Sequence, residues 1–305
     1  MRYAGPVGEA DAELLERAAA WEGVDTGAQG IDFATAVLYN RVAREPANAA
    51  FLQAALARKD GDGGRPTFVG VVPGAFYREH RNTGADGARV LSIARGLGCE
   101  AELVPVKSFG MLEENSAAIL DWLEAHGGRE ITLVSLSKGG ADIKCALGSP
   151  RAAVAFSDVK QWVNFSGLVQ GTPLVEWLRE RPPRWWGARL ILWWQGHGIR
   201  ALGQLRHGAG SPLEPWPALP AHLRVVHVFG VPLRRHLRHP WAVRGYERLA
   251  PLGPNDGGGI LLADLASLPG IVCPVWGADH YLDPAWDVLP LLRGIVSAAI
   301  SIQGT

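Results

Sequence analysis

Cysteine is scarce in this sequence of 305 residues, which contains only Cys99, Cys145 and Cys273. Their number is odd, the three positions are far apart, and no CxxC pair exists. This pattern argues against a disulfide framework and against a zinc site, both of which need paired or clustered cysteines. We therefore expect free thiols and no bound metal.

An excess of charge of either sign is also lacking, because 30 basic residues balance 30 acidic ones. A neutral chain has no net field to attract nucleic acid or an anionic membrane, so we expect neither as a main partner. No apolar stretch approaches the roughly 18 residues of a membrane-spanning helix. Residues 1–16 carry four acidic side chains and lack the apolar region of a secretory signal. We expect a cytoplasmic protein without integral membrane association.

Tryptophan is in surplus. The chain has 12 Trp against 8 Phe and 5 Tyr, and six of the 12 lie between Trp177 and Trp216. The composition is otherwise globular, with 48% apolar and 20% charged residues. The tryptophan-rich stretch, at about residues 173–222, fits no strand–helix unit, and we interpret it as an insertion.

Short apolar runs alternate with helical patterns from residue 67 onward. The predicted strands are Thr67–Val72, Ala101–Val106, Ile131–Leu136, Gln161–Phe165, Leu223–Phe229 and Ile271–Trp276. The predicted helices are Ala85–Leu97, Met111–Ala125, 138–147, Ile260–Ala266 and Ala285–Ile302. Continuous apolar strands that alternate with helices are typical of an α/β fold, with a mostly parallel sheet covered by helices on both faces.

The start of the chain has a purely helical pattern. We predict helices over residues 11–28, from a cap at Asp32 towards Val42, and from Pro46 to Arg58. The polar, glycine-rich run Asp60–Pro66 then breaks the pattern. We therefore divide the chain into a helical N-terminal extension, residues 1–64, and a core, residues 65–305, that contains the insertion.

The segment Ile131–Leu147, ITLVSLSKGGADIKCAL, carries the most informative motif. Ser137 directly follows the apolar strand, and Gly139 lies two residues after it. Small residues on both sides of a serine at a strand-to-helix turn are typical of a nucleophile elbow, in which the hydroxyl projects above the sheet. Ser135 stands where the G-x-S-x-G pattern has its first glycine. Taken alone, the motif leaves open the alternative that Ser137 only caps the helix.

Three further places complete a resemblance to a known family. The residues are PGAF at 73–76, VNFSGLVQGTP at 163–173, and PNDG at 254–257 followed by ADHY at 278–281. Together with the elbow, they resemble the serine α/β-hydrolases, in particular the bacterial lipase-like branch, from about residue 67 to the C-terminus. The resemblance implies an α/β-hydrolase fold with a helical cap insertion.

The resemblance also implies a catalytic triad. Ser137 would be the nucleophile, His280 its base and Asp256 the acid that orients the histidine, in the chain order that this fold requires. Two other acids are rivals for the third role. We interpret Asp264 as a surface carboxylate and Asp279 as loop structure, since a direct sequence neighbour of the histidine seldom reaches its far ring nitrogen.

The oxyanion hole follows from the same resemblance. The backbone amides of Ala75 and Lys138 would bind the oxyanion, with Phe76 as the alternative to Ala75. Two departures from the family pattern accompany this assignment. Pro73 replaces the usual histidine. Gly258-Gly259 replaces the usual Leu-Val in the loop that carries Asp256, which we call the acid loop, so we expect this loop to be looser.

Several basic residues have two interpretations. Lys138 is either a solvent-facing helix residue or a charge that favours an anionic substrate. His236 and His239 have the spacing of a metal pair on one helical face, but arginines surround them, and we interpret them as a solvated basic patch. His197 and His207 are predicted to be surface or lid residues.

Three interpretations are open for the tryptophans of the insertion. The rings would pack the insertion onto the core, lie on a membrane surface as part of a basic helix, or line the acyl pocket under a mobile cap. In the third interpretation, Trp185, Trp186, Trp193 and Trp194 belong to the substrate pocket.

The expected function is that of a serine hydrolase that cleaves carboxylic esters with an apolar acyl or alcohol part through an acyl-enzyme intermediate. It would need no cofactor, and its partner would be a small apolar ester or acyl substrate. A thioesterase, peptidase or acyltransferase of a biosynthetic pathway would use the same triad. A non-catalytic hydrolase fold that binds a ligand is the third hypothesis. The sequence leaves the oligomeric state open.

Overall fold

A six-stranded parallel sheet forms the centre of the computed structural model, which describes residues 7–23, 26–57, 68–80, 83–281 and 294. The strands are β1 Phe68–Val72, β2 Ala101–Leu103, β3 Ile131–Leu136, β4 Val159–Phe165, β5 Arg224–Val231 and β6 Ile271–Trp276. All neighbouring pairs are parallel, in the order β2-β1-β3-β4-β5-β6. The strand order changes direction between β1 and β3, and open α/β sheets bind ligands at the carboxyl ends of the strands at such a point.

Successive residues of β1 point into two separate cores. Phe68 and Val72 belong to one apolar cluster, whereas Val69 and Val71 belong to another. This alternation explains why the strand is apolar throughout, because a sheet covered on both faces leaves neither side to water. The helices that accompany the sheet are α4 Ala88–Gly96, α5 Leu112–Ala125, α6 Lys138–Leu147, α7 Ala152–Ala155 and α11 Pro240–Leu249. The predicted α/β architecture is confirmed.

The ends of several elements differ from the prediction. β2 stops at Leu103 rather than Val106, because Pro105 has no N–H to donate to a neighbouring strand. The predicted helix Ile260–Ala266 is a 3-10 helix over Leu262–Ser267. The predicted break at residues 60–66 and the predicted C-terminal helix at residues 285–302 lie outside the described residues, except for Gly294.

Three helices precede the sheet: α1 Glu9–Ala19, α2 Ile31–Arg44 and α3 Pro46–Ala57. The first is shorter than the predicted helix over residues 11–28. Asp32 does not cap α2, since the helix begins at Ile31 and Gly30 occupies the cap position. The Asp32 carboxylate instead accepts a hydrogen bond from Arg235 at 3.1 Å.

These three helices cover the β6 edge of the sheet. The side-chain oxygen of Asn48 accepts a hydrogen bond from the Val272 amide at 2.8 Å. Asp11 accepts one from the Trp276 indole at 2.9 Å, and the ring of Tyr39 lies 5.2 Å from that of Trp276. An edge strand has backbone groups without a strand partner, and Asn48 of α3 supplies a partner for one of them.

The insertion between β4 and β5 contains α8 Leu174–Arg179, α9 Pro182–Trp194 and α10 Ile199–Gly203. It is tied to the core at several points; for example, the side-chain oxygen of Gln204 accepts a hydrogen bond from the Leu112 amide at 2.8 Å. Only Leu192 of α9 is fully buried. None of the described helices has the length and apolar character that a bilayer crossing requires.

Candidate active site

Ser137 lies in a strained turn between β3 and α6. Its φ of 48° and ψ of −116° place it in a left-handed region that is unfavourable for a residue with a side chain. The turn brings α6 against β1, so that a Cβ on Gly139 would lie 2.6 Å from the carbonyl oxygen of Val72. The serine side chain makes no capping hydrogen bond to the helix. This is the local geometry of a nucleophile elbow.

A buried polar network lies beneath the elbow and accounts for the serine in place of the first motif glycine. The Ser135 hydroxyl donates to the Asn164 side-chain oxygen at 2.8 Å and accepts from the Trp162 indole at 2.8 Å. The Asn164 amide nitrogen lies 2.9 Å from His227 Nδ1. Burial lowers the pKa of His227 to about 4, with Lys144 acting in the same direction, so the imidazole is neutral at pH 7. Sequence reasoning missed this network.

The side chains of Ser137, His280 and Asp256 form one hydrogen-bond chain. His280 Nε2 lies 2.9 Å from Ser137 Oγ, and His280 Nδ1 lies 2.6 Å from one Asp256 carboxylate oxygen. The other carboxylate oxygen accepts three backbone N–H groups at 2.9 Å each, from Gly258, Gly259 and Ile260. The three amides hold this buried carboxylate in a fixed orientation towards His280.

The pKa of His280 reflects two opposing effects. Burial disfavours the charged imidazolium and acts to lower the pKa. The charge and hydrogen bond of Asp256, with a further contribution from Asp279, act in the other direction and raise the pKa above the ordinary value of 6.5. The ring is therefore a stronger base than an ordinary histidine, which suits the uptake of a proton from Ser137.

The acid loop is tight where we expected it to be looser. A Cβ on Gly258 would lie 2.0 Å from Cγ of His280, and one on Gly259 would lie 2.7 Å from the Thr172 hydroxyl. Gly259 also has a φ of +141°. The two glycines let the acid loop close around Asp256 and let the His280 ring pack directly against that loop. Larger residues at these two positions would prevent this packing.

The backbone amides of Lys138 and Ala75 are the candidate oxyanion donors. Lys138 is the first residue of α6, where a helix leaves its N–H groups unpaired. Among the described backbone hydrogen bonds, the Ala75 amide donates to no carbonyl, whereas the Phe76 amide donates to Ser108 at 3.0 Å. This geometry favours Ala75 over the alternative Phe76.

Lys138 is buried, which corrects both interpretations of its side chain. It is 1% exposed and donates to the Asp142 carboxylate at 2.6 Å. Asp142 in turn accepts a hydrogen bond from Asn115 at 2.9 Å. The two charges lie one helical turn apart on α6 and neutralise each other inside the protein. The side chain therefore neither faces solvent nor presents its charge to a substrate.

A cavity of about 410 Å³ opens beside Ser137 and His280. One part of its wall comes from five aliphatic residues of the insertion and its flanks: Leu174, Val175, Leu178, Leu202 and Leu205. Aromatic side chains line another part: Phe76, Phe109, Trp241 and Tyr281. The cavity thus adjoins the hydrogen-bonded serine and offers mostly apolar contacts.

The four tryptophans that we expected in the pocket are not among the cavity-lining residues of the described chain. Trp186, Trp193 and Trp194 are 62%, 72% and 81% exposed, and Trp185 is half-buried. The reason is the orientation of α9, which turns Leu192 inward and Trp186, Trp193 and Trp194 outward. The pocket wall is aliphatic on the side of the insertion.

The remaining candidates have structural partners. Asp264 pairs with His207 at 2.9 Å, and Asp279 accepts the Tyr281 amide at 2.9 Å within its own loop. His236 pairs with Asp11 of α1 at 2.8 Å. The basic patch around His236 therefore contains a carboxylate that we did not predict from the sequence. His239 caps α11 by accepting the Trp241 amide.

A link between the insertion and the core passes through His197, whose Nε2 lies 2.9 Å from the Glu79 carboxylate. Glu79 follows the loop that carries Ala75, so the insertion is held next to the candidate oxyanion hole. In the described part of the chain, no group of three or more His, Cys, Asp or Glu side chains is arranged to hold a metal ion.

No protein-family model matches the chain. No curated protein is similar enough in sequence to match it.

Comparison of the fold does find relatives. A metagenomic carboxyl esterase is 18% identical and has a TM-score of 0.55, with 94% of this chain and 98% of the esterase covered. A lipase from Bacillus licheniformis in its mature form is 19% identical and has a TM-score of 0.52, with 79% of this chain and 91% of the lipase covered. The chain therefore has the α/β-hydrolase fold, which it shares with this esterase and this lipase.

Proposed function

We propose that the protein is a serine hydrolase that cleaves carboxylic esters with an apolar acyl or alcohol part. The observation that carries the proposal is the unbroken hydrogen-bond chain from Ser137 through His280 to Asp256, beside an apolar cavity. A serine hydroxyl is a weak nucleophile at neutral pH and needs an adjacent base. The fold shared with an esterase and a lipase supports the same reaction class.

In the proposed mechanism, Ser137 Oγ attacks the ester carbonyl carbon while His280 Nε2 takes up the hydroxyl proton. Asp256 accepts the hydrogen bond from Nδ1–H and stabilises the imidazolium. His280 then gives the proton to the departing alkoxide, which leaves as the alcohol. Water attacks the resulting acyl-enzyme by the same route, with His280 as base, and releases the carboxylic acid and the free serine.

The backbone donors of the proposed oxyanion hole are the amides of Ala75 and Lys138. They would bind the negative oxygen of the tetrahedral intermediate, and one such donor is worth about 2.7–4 kcal/mol of the barrier. The buried ion pair between Lys138 and Asp142 fixes the first turn of α6 and so the direction of the Lys138 amide.

The cavity supports the proposed substrate class. Its volume of about 410 Å³ lies near the lower end of the roughly 300–1,000 Å³ of small-molecule sites. The aliphatic wall supplied by α8 and α10 gives an acyl chain contact without polar partners. We propose that the insertion acts as the cap of this pocket and that the substrate is a small ester.

The proposal is tested by steady-state hydrolysis of p-nitrophenyl esters of graded acyl length, with acyl thioesters and peptide amides as competing classes. We expect ester hydrolysis with a preference for apolar acyl groups, and loss of the reaction in Ser137→Ala. Equal and negligible rates on all esters would contradict it. Turnover of thioesters or amides alone would favour the second expected class, a thioesterase or peptidase with the same triad.

Two further statements rest on the sequence alone. The division into an extension of residues 1–64 and a core of residues 65–305 stays a prediction. The cytoplasmic location stays one as well. Limited proteolysis within residues 58–67 and localisation of the tagged chain would test them.

A further inference from the structure

Helix α9 carries the largest concentration of exposed apolar side chains among the described residues. Eight large hydrophobic residues in the described ranges are exposed, and five of them belong to this helix: Trp186, Leu190, Ile191, Trp193 and Trp194. Monomeric proteins rarely expose a contiguous apolar patch without a use for it. The cavity and the triad do not account for these side chains, because none of them lines the pocket.

The side chains of α9 divide around the helix axis into a buried and an exposed side. Leu192 is the buried residue, and successive residues are about 100° apart. On that spacing, the five exposed apolar side chains cover the half of the helix that faces away from Leu192. Arg184 and Arg189 fall between the buried and the exposed sides, one on each flank. We call the five apolar residues and these two arginines the α9 face.

The two arginines are held at the border of the exposed apolar surface. The guanidinium of Arg189 lies 5.0 Å from the centre of the Trp186 ring, and that of Arg184 lies 4.5 Å from the Trp177 ring. In the described part of the chain, neither forms an ion pair with a carboxylate. Their positive charge is therefore open to an external anion.

The surrounding sequence adds charge of one sign. From residue 181 to residue 213 the chain has five arginines and no Asp or Glu, although the whole protein is neutral. The local excess explains how a neutral protein can present a basic surface. The five are Arg181, Arg184, Arg189, Arg200 and Arg206. Arg181 pairs with Glu180 and Arg206 with Glu176, so among the described residues Arg184, Arg189 and Arg200 are the three of this segment without a carboxylate partner.

We propose that the α9 face docks on the surface of an anionic phospholipid bilayer. A helix with Trp and Leu on one face and arginines at its borders lies in the plane of the lipid–water interface, where tryptophan rings are favoured. Anionic headgroups attract the arginines. A second copy of the chain fits this surface less well. A two-fold contact would place the arginine-rich segments of the two copies against each other, and their like charges would repel.

Docking would place the insertion against the lipid. Helices α8 and α10, which flank α9 in the chain, supply the aliphatic wall of the cavity. No residue of the α9 face lines the cavity, so contact of that face with a bilayer leaves the cavity lining intact. The proposal stands on the surface alone and does not depend on ester hydrolysis.

Co-sedimentation of the full chain with vesicles tests the proposal. We expect binding to phosphatidylcholine vesicles that contain phosphatidylglycerol, weaker binding to phosphatidylcholine alone, and release at high salt. The double variant Trp193→Ser/Trp194→Ser should bind at least about tenfold more weakly, because the buried apolar area is lost. Arg184→Gln and Arg189→Gln should each weaken binding about fivefold.

The matched control is Val154→Ser/Leu252→Ser, which removes exposed apolar residues outside α9 and should bind like the wild type.

Three results would overturn the proposal. One is an absence of binding to the anionic vesicles, and another is equal binding by the wild type and the tryptophan double variant. The third is a wild-type dimer in light scattering that becomes a monomer in the double variant without any vesicle binding, since the α9 face would then be a contact between copies. The thermal unfolding midpoint of each variant should equal that of the wild type, which would show that the substitutions at exposed positions leave the fold intact.

Discussion

The acid loop and helix α9 differ most in the room that they leave around the backbone. In the acid loop, Asp256 is fully buried, and an added Cβ on Gly258 would overlap the His280 ring. In α9, an added Cβ on Gly187 would meet nothing within 4 Å, and most large side chains face solvent. The backbone is therefore tightly packed around the proposed triad, where a small displacement would move the hydrogen-bonded side chains, and loosely packed on the insertion.

The largest expected effect comes from Asp256→Asn. The asparagine amide would donate to His280 Nδ1, so that the ring proton would move to Nε2 and the ring could no longer accept the Ser137 proton. We expect kcat for an ester substrate to fall about 10⁴-fold. The control is Asp264→Asn, which alters a carboxylate paired with His207 outside the triad and should leave kcat unchanged.

Gly258→Ala tests the tight region directly. The new methyl group would displace the His280 ring, because its Cβ would lie only 2.0 Å from Cγ of that ring. We expect kcat/KM to fall on the order of 100-fold, as for a displacement of about 1 Å in a catalytic group.

The counterpart in the open region is Gly187→Ala. It places the same methyl group in α9, where alanine favours the helix by about 0.5–1 kcal/mol over glycine. We expect unchanged kcat/KM and a small rise in thermal stability. Similar activity losses in both alanine variants would contradict the contrast between the two regions.

Asn164→Ala tests the buried network beneath the elbow. The substitution would leave the Ser135 hydroxyl and His227 Nδ1 short of a partner in a fully buried place. We expect the free energy of unfolding to fall by about 1–3 kcal/mol, measured by urea denaturation. Gln170→Ala, which removes an exposed hydrogen bond to Ser267, should change it by less than about 0.5 kcal/mol. An equal loss in both variants would show that the network adds no stability.

The smallest expected effect concerns pH. His280 acts as a base only when neutral, and its pKa is raised above 6.5. The acid limb of kcat/KM should therefore have its midpoint above pH 6.5, with activity falling as the pH falls through it. Asp256→Asn should move that midpoint to lower pH, because it removes the charge that raises the pKa. A wild-type midpoint at or below 6.5 would contradict the role of Asp256.

The sequence predicted where the six strands lie along the chain, because each strand is a local apolar run. It also predicted the residues that meet at Ser137. The elbow needs a strand end, a serine and Gly139 within a few positions. Asp256 and His280 follow strands that end at one edge of a parallel sheet, so their proximity follows from the fold that the motifs resemble.

Other features needed the register and packing of the folded chain. Ser135 meets Asn164 only because β3 and β4 pair with those two residues opposite each other. The burial of Lys138 depends on Asp142 and on α5, which contributes Asn115. The outward orientation of the tryptophans depends on which side of α9 packs inward, and the mixed helical spacing of the insertion does not specify that side.

Covalent labelling of the serine tests the central claim most directly. The protein would be treated with a fluorophosphonate, with and without detergent, digested and mapped by mass spectrometry. We predict a single modified residue, Ser137, with no labelling in Ser137→Ala and much slower labelling in Asp256→Asn. An unlabelled wild-type chain under both conditions, or a label on another serine, would contradict the assignment of Ser137 as the nucleophile.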